Sequence, residues 1–552
     1  MESKKFIVLL SIIFVVGFVA FYKFVGLEPE NLPFSTSPDY NVTTSEPLKS
    51  SEGFGVSASH PLAVKVGMDV MESGGNAVDA AIAVSYVLGV VEPYGSGIGG
   101  GGEMLIHPKN SKPISYQYRE NAPLSGSLPS SYAGVPGLVK GMEDLHADYG
   151  TIDMKKLIAP AINIAEKGFK VDQDLYDRLK GAQYRMPISD IPHFYPNGKP
   201  INPGVTLKQK QLADTLRTIQ EEGASAFYEG ELGEHILDQT DEIKSEDLQT
   251  YATLKKEPTK GTFAGYDVYS APAPLGGITL IQSLQMAELM NVEKSEDDPA
   301  DFIHLVGEIT KRTYNDRLEE IADPGFVDVN ADKLTSFDYS KELAKGISME
   351  HLSEDYEIND SLADFEDHDN TTHFVIVDKE GTMISATHTL SNFFGSGTYI
   401  DGYFLNNQLK NFSENNSSIN DVEPGKSPRS YTAPTILSKN GRPEIGIGTP
   451  GGKRIPMMLT EVLVRNLYFK ESIEEAIEHP RFYVEDDKIM LESEEVFSEE
   501  VIDDLEDRGY RVEIYEAGQY YGGVQSLVVN YEEDLMYGGA DKRRLGSWQV
   551  EK

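Results

Sequence analysis

The sequence contains no cysteine among its 552 residues. That absence excludes disulfide bonds, thiol nucleophiles and zinc sites built on cysteine, and it suits a surface where thiol oxidation needs no management. The length allows two to four domains or one large α/β unit, and the apolar content of 39% is ordinary for a globular protein. The chain can therefore form a substantial core without covalent cross-links.

Basic side chains are also scarce. The chain has 49 lysines and arginines against 89 aspartates and glutamates, which gives a formal net charge of −40. Such a charge argues against nucleic acid as a partner, because the phosphate backbone requires a basic surface. Counterions relieve self-repulsion at high charge, so the composition favours a salty or wall-associated setting.

The N-terminus carries the only long uncharged run that bears on localisation. Residues 6–22 contain no charge and lie between Lys4-Lys5 and Lys23. A helix over these residues would span roughly 26 Å at about 1.5 Å per residue. A cleaved signal peptide is the alternative, but no small-x-small cleavage site is obvious. We expect residues 1–23 to form a cytoplasmic tip and a single-pass membrane anchor, residues 24–52 a flexible tether, and the catalytic part to lie outside a bacterial cell.

Familiar catalytic and cofactor motifs are absent. No serine has glycines at both minus two and plus two, as a nucleophile elbow requires, and there is no HExxH. The run GSGIGGGG at residues 95–102 lacks the Lys-Ser/Thr pair of a phosphate loop and the dinucleotide spacing, so close backbone packing is the better interpretation. Acidic runs lack the spaced geometry of a calcium loop. We therefore expect neither a metal nor an organic cofactor.

The apolar pattern predicts helices first and strands later. Residues 60–73 have helical spacing, glycines at 74 and 75 end that helix, and Asn76 can cap a second one. Residues 151–345 are predicted to be mostly helical, with one strand near 265–272. Strands are predicted at 372–378, 382–389, 434–437 and 444–447, followed by an amphipathic helix to about residue 469. Because no linker or repeat is visible after residue 53, we expect one large α/β body with helices covering sheets.

One boundary in the chain suggests chemistry. Nine of the 21 residues from 350 to 370 are acidic and none is basic, whereas residues 374–377 are continuously apolar. Thr371 and Thr372 lie between the two. A threonine at the start of a chain is a strong nucleophile, because its own α-amino group can take the hydroxyl proton. The alternative is that these are β-branched residues beginning a strand.

Several long motifs decide between these interpretations. TTHFVIVDKEGTMISATHTLSNFFGSG, NNQLKNFS, GTPGGKRIP and GGNAVDAAIAVSYVLGVVEPYGSGIGGGGEML resemble the γ-glutamyltranspeptidase family in the same order, over residue 53 to the end. The resemblance implies an α/β fold of the N-terminal nucleophile hydrolase type, a four-layer αββα sandwich. It also implies self-cleavage between Asn370 and Thr371, giving a large subunit (53–370) intertwined with a small catalytic subunit (371–552).

The resemblance also assigns the catalytic roles. Thr371 matches the family nucleophile, and Thr389 matches the second threonine that activates it. Gly451 and Gly452 match the paired glycines whose N–H groups form the oxyanion hole, where the backbone must approach closely. Arg119 matches the arginine that holds the α-carboxylate of the γ-glutamyl group, a task for which a guanidinium is well suited.

Departures from the family pattern concern the substrate. Asn411 stands where glutathione-type members have an aspartate that contacts the α-amino group, and Ser430 is followed by Tyr431 in place of a second serine. The stretch between 412 and 430 is short, so the lid of those members is missing and an open groove is expected. Gln408, which lies with Asn411 in the NNQLKNFS motif, is assigned to substrate binding together with Asn411 and Ser430.

The motifs SYVLGVVE, TLSNFFG, FLNNQL, YYGGVQSLVV and RRLGSW most resemble the CapD-type branch of the family, which acts on poly-γ-glutamate capsules as a transpeptidase/depolymerase. In that branch the residues matching Lys453, Arg454 and Arg544 lie near the substrate carboxylates. We expect them to form, with Arg119 and Arg543, a positive pocket in a negative body. The alternative is that they are surface cations.

The sequence thus predicts a self-processing γ-glutamyltransferase. Its Thr371 ester would pass the γ-glutamyl chain of poly-γ-glutamate to an amine acceptor, such as a cell-wall (peptidoglycan) peptide, or to water. Two alternatives stay open: a general γ-glutamyltransferase, hydrolase or acylase of small molecules such as glutathione, and a non-enzymatic wall-anchored scaffold that merely inherited the fold.

Overall fold

The structure is a computed structural model that describes residues 46–353, 370–413, 415, 417–493, 497–516 and 518–552. The predicted anchor, the predicted tether up to residue 45 and residues 354–369 of the acidic segment lie outside the described residues. Within the described part of the chain, no helix combines the length and the apolar character needed to cross a bilayer.

The described strands are β1 Phe54–Ala58, β2 Gly101–His107, β3 Ile114–Tyr118, β4 Phe169–Lys170, β5 Thr206–Leu207, β6 Leu254–Lys256, β7 Thr259–Phe263, β8 Tyr266–Ser270, β9 Asn370–Val377, β10 Met383–Ser391, β11 Tyr399–Ile400, β12 Tyr403–Phe404, β13 Thr435–Lys439, β14 Arg442–Gly448, β15 Phe482–Glu485, β16 Lys488–Leu491, β17 Arg511–Ile514, β18 Gln525–Asn530, β19 Leu535–Ala540 and β20 Ser547–Glu551.

The described α-helices are α1 Pro61–Glu72, α2 Ala77–Val91, α3 Leu138–Tyr149, α4 Met154–Lys167, α5 Gln173–Ala182, α6 Lys210–Glu222, α7 Ser225–Tyr228, α8 Glu231–Gln239, α9 Ser245–Gln249, α10 Gly277–Leu289, α11 Pro299–Glu320, α12 Ala331–Leu334, α13 Phe337–Leu343, α14 Ile455–Leu467, α15 Ile473–Glu478 and α16 Glu499–Asp507.

Two large sheets organise these elements. The first has the strand order β20-β1-β9-β10-β2-β3-β6 and the second has the order β19-β18-β14-β13-β8-β7. Every neighbouring pair in both sheets is antiparallel. The first sheet interleaves strands from before residue 370 with strands from after it, so the two parts of the chain share one hydrogen-bonded ladder.

The two sheets pack face to face around β9 and β14. Val375 and Met383 of the first sheet share an apolar cluster with Ile436 of the second. Gly446 and Gly448 allow the closest approach, because a Cβ on Gly446 would lie 2.5 Å from a Val375 methyl carbon and one on Gly448 would lie 2.3 Å from the His373 ring. Glycine at these two positions therefore brings β14 directly against β9.

Helices cover the outer face of each sheet. α1 and α2 pack on β1, β9, β10 and β20, and α10, α14 and α15 pack on strands of the second sheet. The predicted cap of α2 is confirmed: Asn76 accepts hydrogen bonds from the N–H groups of Val78 and Asp79, and Asp79 accepts one from Asn76 in return. α2 is buried nearly all round, as expected of a helix that lies inside a large core. The expected α/β class is thus confirmed, with helices outside and sheets inside.

Candidate active site

The first sheet is irregular at the predicted nucleophile. β9 and β10 pair regularly back to Thr372, and pairing resumes at Asn370, which lies opposite Ser391. One residue of β9, Thr371, therefore opposes residues 389–390 of β10, which is a β-bulge. Ser391 has a φ of +79°, an uncommon value for a residue other than glycine. The bulge redirects the β10 side chains at the point where β9 begins.

The bulge places two hydroxyl groups on one carbonyl oxygen. Thr371 Oγ1 donates to the carbonyl oxygen of Asn370 at 2.5 Å, and Thr389 Oγ1 donates to the same oxygen at 2.7 Å. Thr389 Oγ1 in turn accepts from the N–H of Ser391 at 2.8 Å. All of these groups are buried. Two donors polarise the carbonyl that precedes Thr371, and the Thr371 hydroxyl lies beside it.

The glycine run lies against this centre. A Cβ on Gly100 would lie 2.3 Å from the carbonyl oxygen of Thr389, and one on Gly101 would lie 2.3 Å from that of Tyr118. A Cβ on Gly95 would lie 3.3 Å from Asn370 Oδ1. The prediction that residues 95–102 serve close backbone packing is confirmed, since larger side chains would push β2 away from β10.

Arg119 follows β3 and is buried. Thr389 pairs with Gly101 on β2, and a Cβ on that glycine would lie 3.2 Å from the Arg119 Cα, so the guanidinium belongs to the same end of the sheet as Thr371. Its Nε lies 3.6 Å from a carboxylate oxygen of Glu120. Within the described part of the chain, no group accepts a hydrogen bond from its three guanidinium nitrogens. A buried guanidinium with unused donors is suited to a carboxylate ligand.

Gln408, Asn411 and Ser430 converge on a neighbouring loop. Gln408 and Asn411 are the ends of one 3₁₀ turn. Asn411 Nδ2 donates to the carbonyl oxygen of Arg429 at 3.0 Å, which sets Asn411 beside Ser430. No described residue donates to Asn411 Oδ1 or to Gln408 Oε1. The pair therefore presents amide oxygens, which are neutral acceptors.

This loop is tied to the Arg119 segment. Ser427 Oγ donates to the carbonyl oxygen of Glu120 at 3.3 Å, and the N–H of Ala122 donates to the carbonyl oxygen of Lys426 at 2.9 Å. The structure thus brings the Arg119 segment beside the loop that carries Gln408, Asn411 and Ser430, and the roles of these residues stay predictions.

Gly451 and Gly452 form the turn between β14 and α14. Their φ values are +140° and +57°, which glycine adopts without strain. The contacts of Gly446 and Gly448 with β9 advance two residues at a time toward its start, so the turn that follows β14 lies at the Thr371 end of the sheets. This position fits the oxyanion role that was predicted for the two glycines.

The predicted cations differ in their surroundings. Arg454 donates to the carbonyl oxygen of Tyr520 at 2.8 Å and stacks on its ring at 4.0 Å, and Arg544 Nη2 donates to the carbonyl oxygen of Gln519 at 2.9 Å. A Cβ on Gly522, just after this segment, would lie 3.0 Å from the carbonyl oxygen of Pro450. Arg454 and Arg544 therefore lie beside the glycine turn.

Lys453 and Arg543 have carboxylate partners. Lys453 Nζ pairs with Glu485. Arg543 Nε lies 2.5 Å from a carboxylate oxygen of Glu492, and its Nη1 lies 3.2 Å from one of Asp541. Such pairing neutralises much of a cation's field. The structure thus places Lys453 and Arg543 in ion pairs, which reduces what these two cations contribute to the expected positive pocket.

Sequence reasoning missed a set of buried polar residues on the inner strands. His373 and His388 have pKa values lowered to about 3 because burial disfavours the charged imidazolium, so both are neutral. His388 Nε2 lies 2.7 Å from the Tyr118 hydroxyl, and His373 Nδ1 lies 2.8 Å from that of Thr387. The alternation of hydroxyl residues in SATHTLS, namely Ser385, Thr387, Thr389 and Ser391, was a signal for one polar face of β10, which includes the partner of His373, whereas His388 lies on the other face. Among the described residues, no cluster of three His, Asp or Glu side chains is suited to a metal.

Glu103 gives a pH-dependent prediction for stability. Burial raises its pKa from 4.5 to about 7, although the hydrogen bond that Ser115 donates to it at 2.5 Å lowers the pKa in part. The folded protein holds the Glu103 proton more tightly than the unfolded chain does. The protonated carboxyl therefore adds to the free energy of unfolding below pH 4.5, and this contribution is lost as the pH rises through about 7. We expect the melting temperature to fall between pH 5 and pH 8, and Glu103→Gln to reduce that fall by a few degrees. Exposed Glu229→Gln is the control and should leave the slope unchanged; an equal slope in both variants would contradict the prediction.

Comparisons with known proteins agree with this geometry. Residues 63–550 match the family model described as gamma-glutamyltranspeptidase. The capsule biosynthesis protein CapD proenzyme of Bacillus anthracis is 45% identical over 485 residues, which cover 88% of each chain. The glutathione hydrolase proenzyme of Escherichia coli K12 is 34% identical over 517 residues, covering 87% of this chain and 88% of that protein.

A solved structure gives the same fold. The cephalosporin acylase of Bacillus halodurans superposes with a TM-score of 0.83 at 24% identity and covers 95% of this chain and 98% of its own. The family resemblance that was drawn from sequence motifs is confirmed by the family match and by both relatives. The chain therefore belongs to the γ-glutamyltranspeptidase family and is an enzyme of γ-glutamyl transfer and hydrolysis.

Proposed function

We propose that this enzyme is a proenzyme that cuts itself between Asn370 and Thr371 and then uses Thr371 as its nucleophile. The observation that carries the proposal is the pair of threonine hydroxyls on the Asn370 carbonyl oxygen. The interleaved strands of the first sheet would hold residues 53–370 and 371–552 together as large and small subunits after the cut. The two packed sheets with outer helices would then be the αββα sandwich of an N-terminal nucleophile hydrolase.

The positions of these atoms support a route for self-cleavage. Thr371 Oγ1 attacks the carbonyl carbon of Asn370, Thr389 Oγ1 donates to the developing oxyanion, and the hydroxyl proton passes to the peptide nitrogen of Thr371 as its bond to carbon breaks. The product is an ester between Asn370 and the Thr371 side chain, with a free α-amino group. Water then hydrolyses the ester to an Asn370 carboxylate and restores the Thr371 hydroxyl.

Turnover uses the new terminus. The α-amino group of Thr371 takes the hydroxyl proton as Oγ1 attacks the γ-glutamyl amide, and the N–H groups of Gly451 and Gly452 hold the oxyanion. The amine leaves with that proton, and a γ-glutamyl ester remains. An acceptor amine gives transfer and water gives hydrolysis, and either restores the hydroxyl. Arg119 would hold the substrate α-carboxylate, and no step needs a metal or an organic cofactor.

We propose poly-γ-glutamate as the substrate of this reaction. A residue inside that polymer has an amide N–H at its α-nitrogen instead of an ammonium, and the unused amide oxygen of Asn411 is a neutral acceptor that suits it. Arg454 and Arg544 beside the glycine turn would face further carboxylates. The 45% identity to the CapD proenzyme supports the same substrate. We further propose that residues 6–22 anchor the enzyme in the cell membrane and that a peptidoglycan peptide is the acceptor amine.

Small γ-glutamyl compounds are the second candidate substrate. The 34% identity to a glutathione hydrolase proenzyme favours them, and they would use the same nucleophile. The test is a gel-based chain-length assay of poly-γ-glutamate with wild-type enzyme. Shortening of the polymer would support the first candidate, and an intact polymer together with turnover of a γ-glutamyl anilide would replace it by the second.

Asn411→Asp gives a sharper test of substrate choice. An aspartate would attract a free α-ammonium, which the polymer lacks, so we expect the ratio of γ-glutamyl anilide turnover to polymer cleavage to rise about 10- to 100-fold, as for one charged hydrogen bond. The measurement compares kcat/KM for γ-glutamyl anilide with the rate of polymer cleavage, and with kcat/KM for the N-acetylated anilide, whose α-nitrogen is an amide like that of the polymer. Asn110→Asp, on an exposed turn, adds the same charge elsewhere and should leave the ratio unchanged. An unchanged ratio in Asn411→Asp would show that Asn411 does not read the α-nitrogen.

A further inference from the structure

A chain of buried hydrogen bonds runs behind the nucleophile. Thr372 Oγ1 lies 2.6 Å from Ser59 Oγ, and Ser59 Oγ donates to Glu92 Oε2 at 2.8 Å. Ser59 follows β1 and Glu92 follows α2, so three separate segments meet at this point. All three residues are buried. Because the Ser59 proton goes to the Glu92 carboxylate, the Thr372 proton goes to Ser59, and the chain of donors ends on Glu92.

Glu92 is a costly residue for the fold. Burial raises its pKa, and the neighbouring Asp174 raises it further, although the hydroxyls of Thr372, Ser59 and Tyr94 lower it. It is also the C-terminal capping residue of α2, where the negative end of the helix dipole disfavours a carboxylate. Packing alone does not account for an acid in such a place, and costly buried acids are concentrated at functional sites.

The bulge explains what this chain of donors can do. Thr371 lies at the bulge, so Thr372 is the first residue of the predicted small subunit with a ladder partner. Side chains alternate along a strand, so Thr371 points to one face of the sheet and Thr372 to the other. Cleavage removes the covalent hold on the N-terminal side of Thr371. The hydrogen bond between the Thr372 side chain and Ser59 is then the contact nearest to the new chain end that involves the residue after it.

We propose that Glu92, acting through Ser59 on Thr372, is a positioning residue that holds the new N-terminal Thr371 in its reactive place. This inference rests on the proposed role of Thr371 as the nucleophile. A displacement of about 1 Å at a reacting atom can cost up to about a hundredfold in rate. Loss of the attachment should therefore lower the rate of the chemical step and leave substrate binding unchanged, because Arg119 and Asn411 lie on other segments.

Charged groups around Glu92 come from two other elements. The Tyr94 hydroxyl oxygen lies 3.2 Å from Glu92 Oε1 and 2.9 Å from Asp174 Oδ2, so its single proton is shared between the two carboxylates. Asp174 pairs with Arg178 at 3.1 Å, both on α5. Asp172 precedes the same helix and lies 4.0 Å from the ring of His60, which precedes α1. Burial raises the pKa of Asp172 to about 7 and lowers that of His60 to about 4. Because Asp172 titrates near neutral pH, the test is made at one pH, with variants in place of a titration.

The experiment compares Glu92→Gln, Ser59→Ala and Thr372→Val in the full chain, with γ-glutamyl anilide as the substrate. We expect each to lower kcat about tenfold per cleaved enzyme, with KM within about twofold and with self-cleavage slowed in parallel. Ser59→Ala breaks the chain of donors, and Glu92→Gln weakens it because a neutral amide oxygen replaces the carboxylate. Combining the two changes should therefore cost no more than Ser59→Ala alone. Thr372→Ser keeps the hydroxyl and should restore kcat. Thr215→Val is the control: it removes the hydrogen bond that another threonine hydroxyl donates to the carbonyl oxygen of Asp401, and it should leave kcat unchanged.

Stability separates positioning from a structural role. Because burial raises the pKa of Glu92 in the folded state, the fold favours the protonated acid over the carboxylate, and the neutral side chain of Glu92→Gln should give the same or a higher melting temperature while kcat falls. Three results would overturn the inference while Thr371→Ala stays inactive. They are a wild-type kcat in Glu92→Gln, a rise in KM in place of the fall in kcat, and equal defects in Thr372→Ser and Thr372→Val. If Thr371→Ala itself kept full turnover, the proposed function and this inference would both be wrong.

Discussion

Thr371→Ala is expected to remain a single chain of 61.0 kDa and to lose turnover of γ-glutamyl substrates by a factor of about 10⁴ or more. Without Oγ1, nothing can attack the Asn370 carbonyl carbon, so neither the cut nor the new α-amino group forms. The Thr389 hydroxyl would still polarise that carbonyl, but it is held by Ser391 and lies on the oxygen side. The measurement is a denaturing gel over time after purification, together with release of the anilide.

Matched variants make this result specific. Thr371→Ser keeps a hydroxyl and should still cut itself, although more slowly, because the missing methyl group allows other rotamers. Thr262→Ala, on the exposed outer strand β7, should cut and turn over like the wild type. A cut chain in Thr371→Ala would show that another residue is the nucleophile of self-cleavage. Full turnover by an uncut chain would show that turnover does not require processing.

Local patterns predicted much of the fold. The strand that starts at the threonine doublet, the cap at Asn76 and the strands predicted at 434–437 and 444–447 are all confirmed. The last two form a hairpin whose turn residues, Asn440 and Gly441, both have a positive φ, as a two-residue hairpin requires. Each depends on a few neighbouring residues. The strands β6 and β7 were missed inside a region predicted as mostly helical, because short stretches such as Leu254–Lys256 lack a clear alternation and their strand form depends on partners far along the chain.

The site was predictable only through individual motifs. Motifs selected Thr371, Thr389 and Arg119 as candidates, and their roles stay predictions. The bulge that joins the first two is a shift in register between strands, which no residue type in the sequence predicts. Arg543 and Arg544 are adjacent in the sequence, yet one pairs with two carboxylates and the other lies near the glycine turn. Such differences depend on contacts between distant segments. A pattern in one sequence cannot supply them.

Arg119→Gln is expected to lower kcat/KM for γ-glutamyl anilide by about 10²- to 10³-fold, mostly through KM. The lost interaction would be a buried, charge-assisted pair with the substrate α-carboxylate, which is worth about 2–5 kcal/mol when one partner is removed. Arg119→Lys keeps the charge but not the two parallel donors, so its loss should be intermediate. The measurement is a full kinetic comparison of the three enzymes on the anilide. Arg217→Lys, on an exposed ion pair, is the control and should match the wild type.

Self-cleavage distinguishes substrate binding from a general defect at Arg119. The two hydroxyl groups on the Asn370 carbonyl come from β9 and β10, and the guanidinium donates to neither, so Arg119→Gln should cut itself at the wild-type rate while it fails to bind substrate. Removing the guanidinium also leaves Glu120 buried without the cation that lowers its raised pKa, so part of any loss of stability should disappear at low pH, where that carboxyl is protonated. Slow self-cleavage that persists at low pH would instead show that Arg119 supports the fold of the cleavage site, and its assignment to the substrate carboxylate would then be wrong.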